Sequence, residues 1–164
     1  MRLGIVNDMA LAAEALRRAL SVEPDYEIIW IAQSGEEAVD LCARHTPDLL
    51  LLDLIMPGMG GVEATRQIMA RSPCAILIAT SSIGRNEARV FEAMANGALD
   101  VVEIPRLDGS DGAQTAALLY KVALVGRLIR DQAPRQPSLL RPPKLEPKSA
   151  YSTPNWALHS WAKR

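Results

Sequence analysis

Residues 48–61 read DLLLLDLIMPGMGG. Leu49 to Leu52 form an unbroken apolar run, which suits a strand buried on both faces of a parallel sheet. The run stops at Asp53. Met56-Pro57-Gly58 and Gly60-Gly61 then supply turn and loop chemistry, and a helical pattern resumes at Val62. A lone carboxylate is thereby set at the carboxyl end of a core strand. In open α/β sheets the crevice beyond those strand ends is where ligands bind. Asp53 alone reads equally well as an ordinary strand-ending residue that caps the next loop. A second acidic loop, at the end of the first strand, tips the balance.

Outward from this stretch the chain alternates. Arg2–Val6 is a short apolar strand ended by Asn7-Asp8. From Leu11 a helix places Leu11, Ala12, Ala15, Leu16, Ala19 and Leu20 on one face, with Glu14, Arg17 and Arg18 opposite. Tyr26–Ala32 is a second strand. Ser34 and Glu37 have capping-box spacing for a helix through Arg44. After the third strand, a helix runs from about Val62 to Ser72, and Cys74–Thr80 is a fourth strand ending in Thr80-Ser81-Ser82. A helix over Glu87–Asn96 has Gly97 in place to terminate it. Asp100–Ile104 is a short fifth strand. Pro105 and the 109–112 segment form a loop, and a last helix spans roughly Ala113 to Asp131.

Five strands alternating with five helices imply βαβ units, right-handed crossovers and a parallel sheet covered on both faces. The expected class is a flavodoxin-like (βα)5 doubly wound sheet with strand order 2-1-3-4-5. That order reverses between strands 1 and 3, so Asp8 and Asp53 would meet at the topological switch point.

The chain of 164 residues fits one domain, expected over 1–131, plus an appendage. Residues 134–164 hold six of the eleven prolines and two of the three tryptophans, so 132–164 read as a Pro-rich, disordered linker or tail. Within it Trp156, Leu158 and Trp161 could dock on a partner. The 18 basic and 19 acidic side chains balance, which argues against nucleic acid and anionic membrane as partners. Nothing approaches the ~20 apolar residues of a membrane span, and Asn7-Asp8 interrupts the apolar start too soon for a signal peptide. The expected location is the cytoplasm. Cys42 and Cys74 have no metal-site spacing and read as two buried, unpaired thiols.

Two neighbouring carboxylates repel unless a proton or cation relieves them. Mg²⁺ suits such a site, since it takes one or two carboxylates, keeps several waters and accepts substrate phosphate. Asp8, Asp53 and the backbone carbonyl of Ile55 would give that sparse set, and the Thr80 hydroxyl ends an adjacent strand. The parts suit transfer of a phosphoryl group to a carboxylate nucleophile.

Several pieces together carry a family resemblance: Val6-Asn7-Asp8, Leu52-Asp53-Leu54-Ile55-Met56-Pro57, Thr80, Gly97-Ala98 and Pro105. With them, residues 1 to about 131 resemble the receiver domain of two-component response regulators. Ile104-Pro105-Arg106-Leu107, the opening around Asn7-Asp8, and the run from Phe91 to Asp100 resemble the receiver of chemotaxis protein-glutamate methylesterases, the CheB family, in its WspF-type branch. The resemblance implies that Asp53 accepts a phosphoryl group from a histidine kinase, that Asp8 is the acidic Mg²⁺ ligand and that Thr80 is the switch hydroxyl. It further implies that a face of helix 4, strand 5 and helix 5 meets a methylesterase effector domain, another protein or a second receiver. The extra apolar side of helix 5, including Ala116–Leu119, Val122–Val125 and Leu128-Ile129, fits such docking.

The sequence also departs from the pattern. Asn7 stands where the family has a second acid, Gly60 where it has Asp, and Val101 where relatives carry an aromatic switch. Ile104 occupies the place of the lysine that contacts the phosphoryl group, and no lysine precedes Lys121. Arg85 and Arg106 are the nearest cations in sequence, with Arg106 the candidate phosphate contact. The family's serine-hydrolase motif is missing: Ser81-Ser82-Ile83-Gly84 is no nucleophile elbow, and His45 and His159 read as surface residues. No methylesterase activity, and no catalytic residue, is therefore expected. The alternative function is a pseudo-receiver that acts by protein contact without phosphorylation. A small-molecule binder is disfavoured because no glycine-rich phosphate loop follows strand 1.

Overall fold

A computed structural model describes residues 1–107 and 112–132. Its elements are β1 (Arg2–Val6), α1 (Ala10–Leu20), β2 (Glu27–Ala32), α2 (Gly35–Arg44), β3 (Leu49–Leu52), α3 (Gly61–Arg71), β4 (Ala75–Thr80), α4 (Glu87–Ala95), β5 (Asp100–Glu103) and α5 (Gly112–Gln132). All five strands pair in parallel in the order β2-β1-β3-β4-β5. This is the doubly wound sheet expected from the alternation, and each element lies within a residue or two of its sequence-derived bounds. The expected Pro-rich tail, with Trp156, Leu158, His159 and Trp161, lies outside the described residues, as does most of the 109–112 segment.

β3 shows why the leucine run makes a central strand. Leu49 and Leu51 enter the cluster formed with α1 and α5, where Leu16, Leu20, Leu118 and Val122 lie. Leu50 and Leu52 enter the opposite cluster, with Val39, Ile68 and Ala93 of α2, α3 and α4. All four are fully buried, and burying each is worth roughly 1.5–3 kcal/mol of transfer free energy. A half-buried strand alternates apolar and polar residues; one packed on both faces cannot.

Local signals work largely as read. Ser34 Oγ accepts from the Glu37 N–H at 3.2 Å, but the Glu37 carboxylate reaches past Ser34 to the Gln33 N–H at 2.8 Å. Gly97, at φ 111°, closes α4: its N–H donates to Met94 and that of Ala98 to Ala93, which satisfies two orphan carbonyls. Two expectations fail. Leu11 is 70% exposed, and the buried stripe of α1 is Ala13, Ala15, Leu16, Ala19 and Leu20. Leu11 belongs to the first turn, which lies beside Ser81 and the 104–107 loop instead of over the sheet. The cysteines also differ from expectation: Cys74 is only partly buried, and its thiol is raised by a hydrogen bond with Cys42 and by burial. Both remain free thiols.

Candidate functional site

The register sets the site. Val6 pairs with Leu52, and Leu52 with Ile78, so Asn7, Asp53 and Thr80 follow at the carboxyl ends of three adjacent strands. The Asp53 N–H donates to the Val6 carbonyl (3.0 Å), and the Asn7 N–H to Ala32 (3.0 Å). The ladder thus extends one residue past each strand and fixes the backbone under the side chains.

Asp53 is 8% exposed and Asn7 1%. Asn7 Nδ2 donates to Asp53 Oδ2 at 3.2 Å, while Asn7 Oδ1 accepts from the Met9 N–H at 2.9 Å. The second bond fixes which way the amide points, so Asn7 turns its NH2 to the carboxylate. The Ile55 N–H lies 3.4 Å from Asp53 Oδ1. Burial lifts the Asp53 carboxyl to about 6; N–H groups of Ile55 and Leu54 pull it down, and the charge of Asp8 pushes it further up. Asp8 itself is exposed at the mouth.

The loop after β3 is pinned from two sides. Glu36 of α2 accepts from the Met59 N–H at 2.9 Å, and the Gly61 N–H donates to Leu54 at 3.0 Å. Gly58 takes φ 72°, which glycine adopts at little cost. At Gly61 the need is steric: a Cβ would collide with the Asp53 carbonyl and the Leu54 Cα.

On the other side of the crevice Thr80 is fully buried. Its Oγ1 accepts from Asn86 Nδ2 at 3.0 Å, and the same nitrogen donates to the Ser82 carbonyl at 2.9 Å. The Ile104 N–H donates to the Thr80 carbonyl at 3.0 Å, while the Ile104 side chain packs against the α1/α5 cluster. Arg106 is exposed and lines a groove with Met9, Leu11, Ser81 and Ile104. The structure therefore gathers Asp53, Asn7 and Asp8, sets Thr80 one strand over, and leaves Arg106 on the rim.

Among the described residues no three His, Cys, Asp or Glu side chains cluster as a metal site. A divalent ion would find the Asp8 and Asp53 carboxylates there, with the Ile55 carbonyl expected from the sequence as a third oxygen. The residues fit a hard cation of that kind, because Asp53 is held ionised only against burial and the repulsion of Asp8, which a cation relieves. Asp8, Asp53 and the Ile55 carbonyl are the groups that would hold it.

Two residues escaped sequence reasoning. Asn7 counted only as a lost charge, though an amide beside a buried carboxylate is also a donor. Asn86 stands at the N-terminus of α4, where an Asn usually caps the helix; its side chain makes no such cap bond and turns back to Thr80 instead.

A family model for the response regulator receiver domain matches residues 3–113, and the chain belongs to that family. It is 58% identical over 146 residues to a protein-glutamate methylesterase/protein-glutamine glutaminase of Pseudomonas aeruginosa, covering 88% of this chain and 43% of the relative. A Pseudomonas fluorescens protein of the same description is 54% identical over 153 residues, 93% of this chain and 44% of the relative. The chain thus spans less than half the length of the curated relatives it matches. Among solved structures, the response regulator domain of Thermotoga maritima CheB superposes with TM-score 0.68 at 25% identity, covering 79% of this chain and 96% of that one. Among the described residues no helix is long and apolar enough to cross a membrane.

Proposed function

We propose that this chain is the phospho-accepting receiver of a cytoplasmic chemosensory phosphorelay. Asp53 takes a phosphoryl group from a histidine kinase and controls an attached or partner effector, such as a protein-glutamate methylesterase domain. The observation that carries this reading is the Asp53 carboxylate, nearly buried at the switch point of the sheet and flanked by Asn7, Asp8 and the Ile55 peptide.

A carboxylate oxygen of Asp53 attacks the phosphorus of a phosphohistidine. The new P–O bond forms as the P–N bond breaks, and the imidazole nitrogen leaves with the bonding pair. Bound Mg²⁺ would neutralise charge on the transferring group. Asn7 Nδ2 and the Ile55 N–H hold the nucleophile in one orientation, and such positioning is most of what this chemistry needs. Arg106 supplies the cation that Ile104 does not. The acyl phosphate then draws in the Thr80 hydroxyl and repacks the face of α4, β5 and α5. That face carries the exposed Phe91, Met94 and Tyr120, to which the effector or a second copy of the chain would bind.

Ile104 favours a second reading, a pseudo-receiver that binds its partner without phosphorylation. Incubation with acetyl phosphate and Mg²⁺ separates the two. A mass gain of one phosphoryl group, lost in Asp53→Asn, supports acceptance. No gain, with partner binding equal for Asp and Asn at this position, supports the pseudo-receiver.

A further inference from the structure

We propose that Asn86 is the positioning residue that couples the Thr80 hydroxyl to helix α4, so that movement of Thr80 toward a phosphorylated Asp53 pulls on the start of that helix. The inference rests on the phospho-acceptor reading of Asp53. Three observations support it.

The first is the bonding of the Asn86 amide. Nδ2 donates to both Thr80 Oγ1 and the Ser82 carbonyl. A carbonyl can only accept, so the atom facing Ser82 is the nitrogen, and the direction of both bonds is fixed. A hydroxyl donates once and accepts up to twice. Thr80 can therefore give its proton to a phosphoryl oxygen while still accepting from Asn86. The two interactions do not compete, and a fully buried hydroxyl oxygen disfavours losing its donor. The bond travels with Thr80 and is not exchanged for the new one.

The second is where the Asn86 backbone goes. Its carbonyl accepts from Val90 at 2.9 Å, the first bond of α4, and its N–H closes a turn onto Ile83 at 3.0 Å. One residue thus grips the switch hydroxyl with its side chain and begins the helix with its main chain. The usual local use of an Asn here, capping the helix N-terminus, is given up for the bond to Thr80.

The third is room to move. The Ile83 side of this loop borders a hollow of about 270 Å³ lined by Val101, Val102, Ala113, Ala117 and Lys121. Val101, where an aromatic would fill space, leaves it open. The Asn86 bond joins Thr80 directly to the start of α4, the helix that carries the exposed Phe91 and Met94.

The test is amide hydrogen exchange on the full chain, with and without beryllium fluoride and Mg²⁺ as the acyl-phosphate mimic, followed in peptides covering 53–61 and 86–96. In the native chain both peptides should change. In Asn86→Ala the 53–61 change should remain and the 86–96 change should be lost. The nearly isosteric Asn86→Asp keeps the shape but removes the donor and should behave alike. Thr80→Val should also lose the 86–96 change, and Thr80→Val with Asn86→Ala should lose no more than either alone, because both act through one bond. A native-sized 86–96 change in Asn86→Ala overturns the coupling and leaves the role of Asp53 intact. An 86–96 peptide that never responds in the native chain also overturns it. No response at 53–61 in the native chain overturns both readings.

Discussion

The crevice has two halves, and they are not equally furnished. At the ends of β1 and β3 stand Asp53, Asp8 and Asn7, on a backbone tied into the ladder and a loop pinned by Glu36. At the ends of β4 and β5 stand Thr80, buried and bonded to Asn86, and then Ile104, whose side chain joins the core. The first half keeps the parts that accept charge. The second has the hydroxyl, with the apolar Ile104 beyond β5 and the Arg106 cation out on the rim. Under the proposed phospho-acceptor reading, acceptance and read-out depend on different residues, and single substitutions separate them.

The largest effect should come from the first half. Gly61→Ala drives a methyl group into the Asp53 carbonyl and Leu54 Cα, and backbone cannot yield as a flexible side chain does. We expect a loss of about 2–4 kcal/mol in urea unfolding, together with impaired phosphorylation. The neighbouring Gly60→Ala has only the Leu54 carbonyl nearby, at 3.2 Å, and should cost less than about 1 kcal/mol. Equal costs would mean that the acceptor loop is not braced as described.

The next effect is electrostatic. Burial raises the Asp53 carboxyl from 3.8 to about 6 in the fold. Between those values the folded chain holds a proton that the unfolded chain has released. Stability therefore falls as pH rises through this window. At pH 7.5 without Mg²⁺, Asp53→Asn should be more stable than the native chain by up to roughly 3 kcal/mol, and the gap should close near pH 4. Mg²⁺ should restore part of the difference in the native chain and nothing in the variant. A native chain as stable as Asp53→Asn at pH 7.5 would show that the carboxylate is not strained by its setting.

The same division explains what could be read from the chain beforehand. The fold was legible because β3 is apolar without alternation and the helices between strands carry period-3.6 stripes; Gly97 and Ser34 mark helix ends with local chemistry. Asp53 and Asp8 were legible because the strand order alone brings two strand ends together. The Asn7 and Asn86 bonds were not, since they depend on which way an amide turns, and the Met9 N–H and Ser82 carbonyl that set it take their places only in the folded loops. The burial of Leu11 was misjudged because periodicity says which face a residue shares but not whether the sheet extends beneath it. The closeness of Cys42 and Cys74 was hidden because α2 and the start of β4 meet only in the folded chain.

The smallest effects lie in the second half and concern its cation. If Arg106 stands in for the lysine, Arg106→Ala should slow acceptance from acetyl phosphate by roughly threefold, since an exposed guanidinium is screened by solvent. Ile104→Lys should speed it by up to about tenfold, because a donor held at the β5 end meets charge as it develops. The variants are informative together. In the Ile104→Lys background the loss of Arg106 should matter less than in the native chain, because both serve one phosphoryl group and their effects cannot add. An Arg106→Ala chain with native rate and native acyl-phosphate lifetime dismisses the arginine. Acceptance would then rest on the β1 and β3 half with its metal ion, and a rate gain in Ile104→Lys alone would measure what the other half has given up.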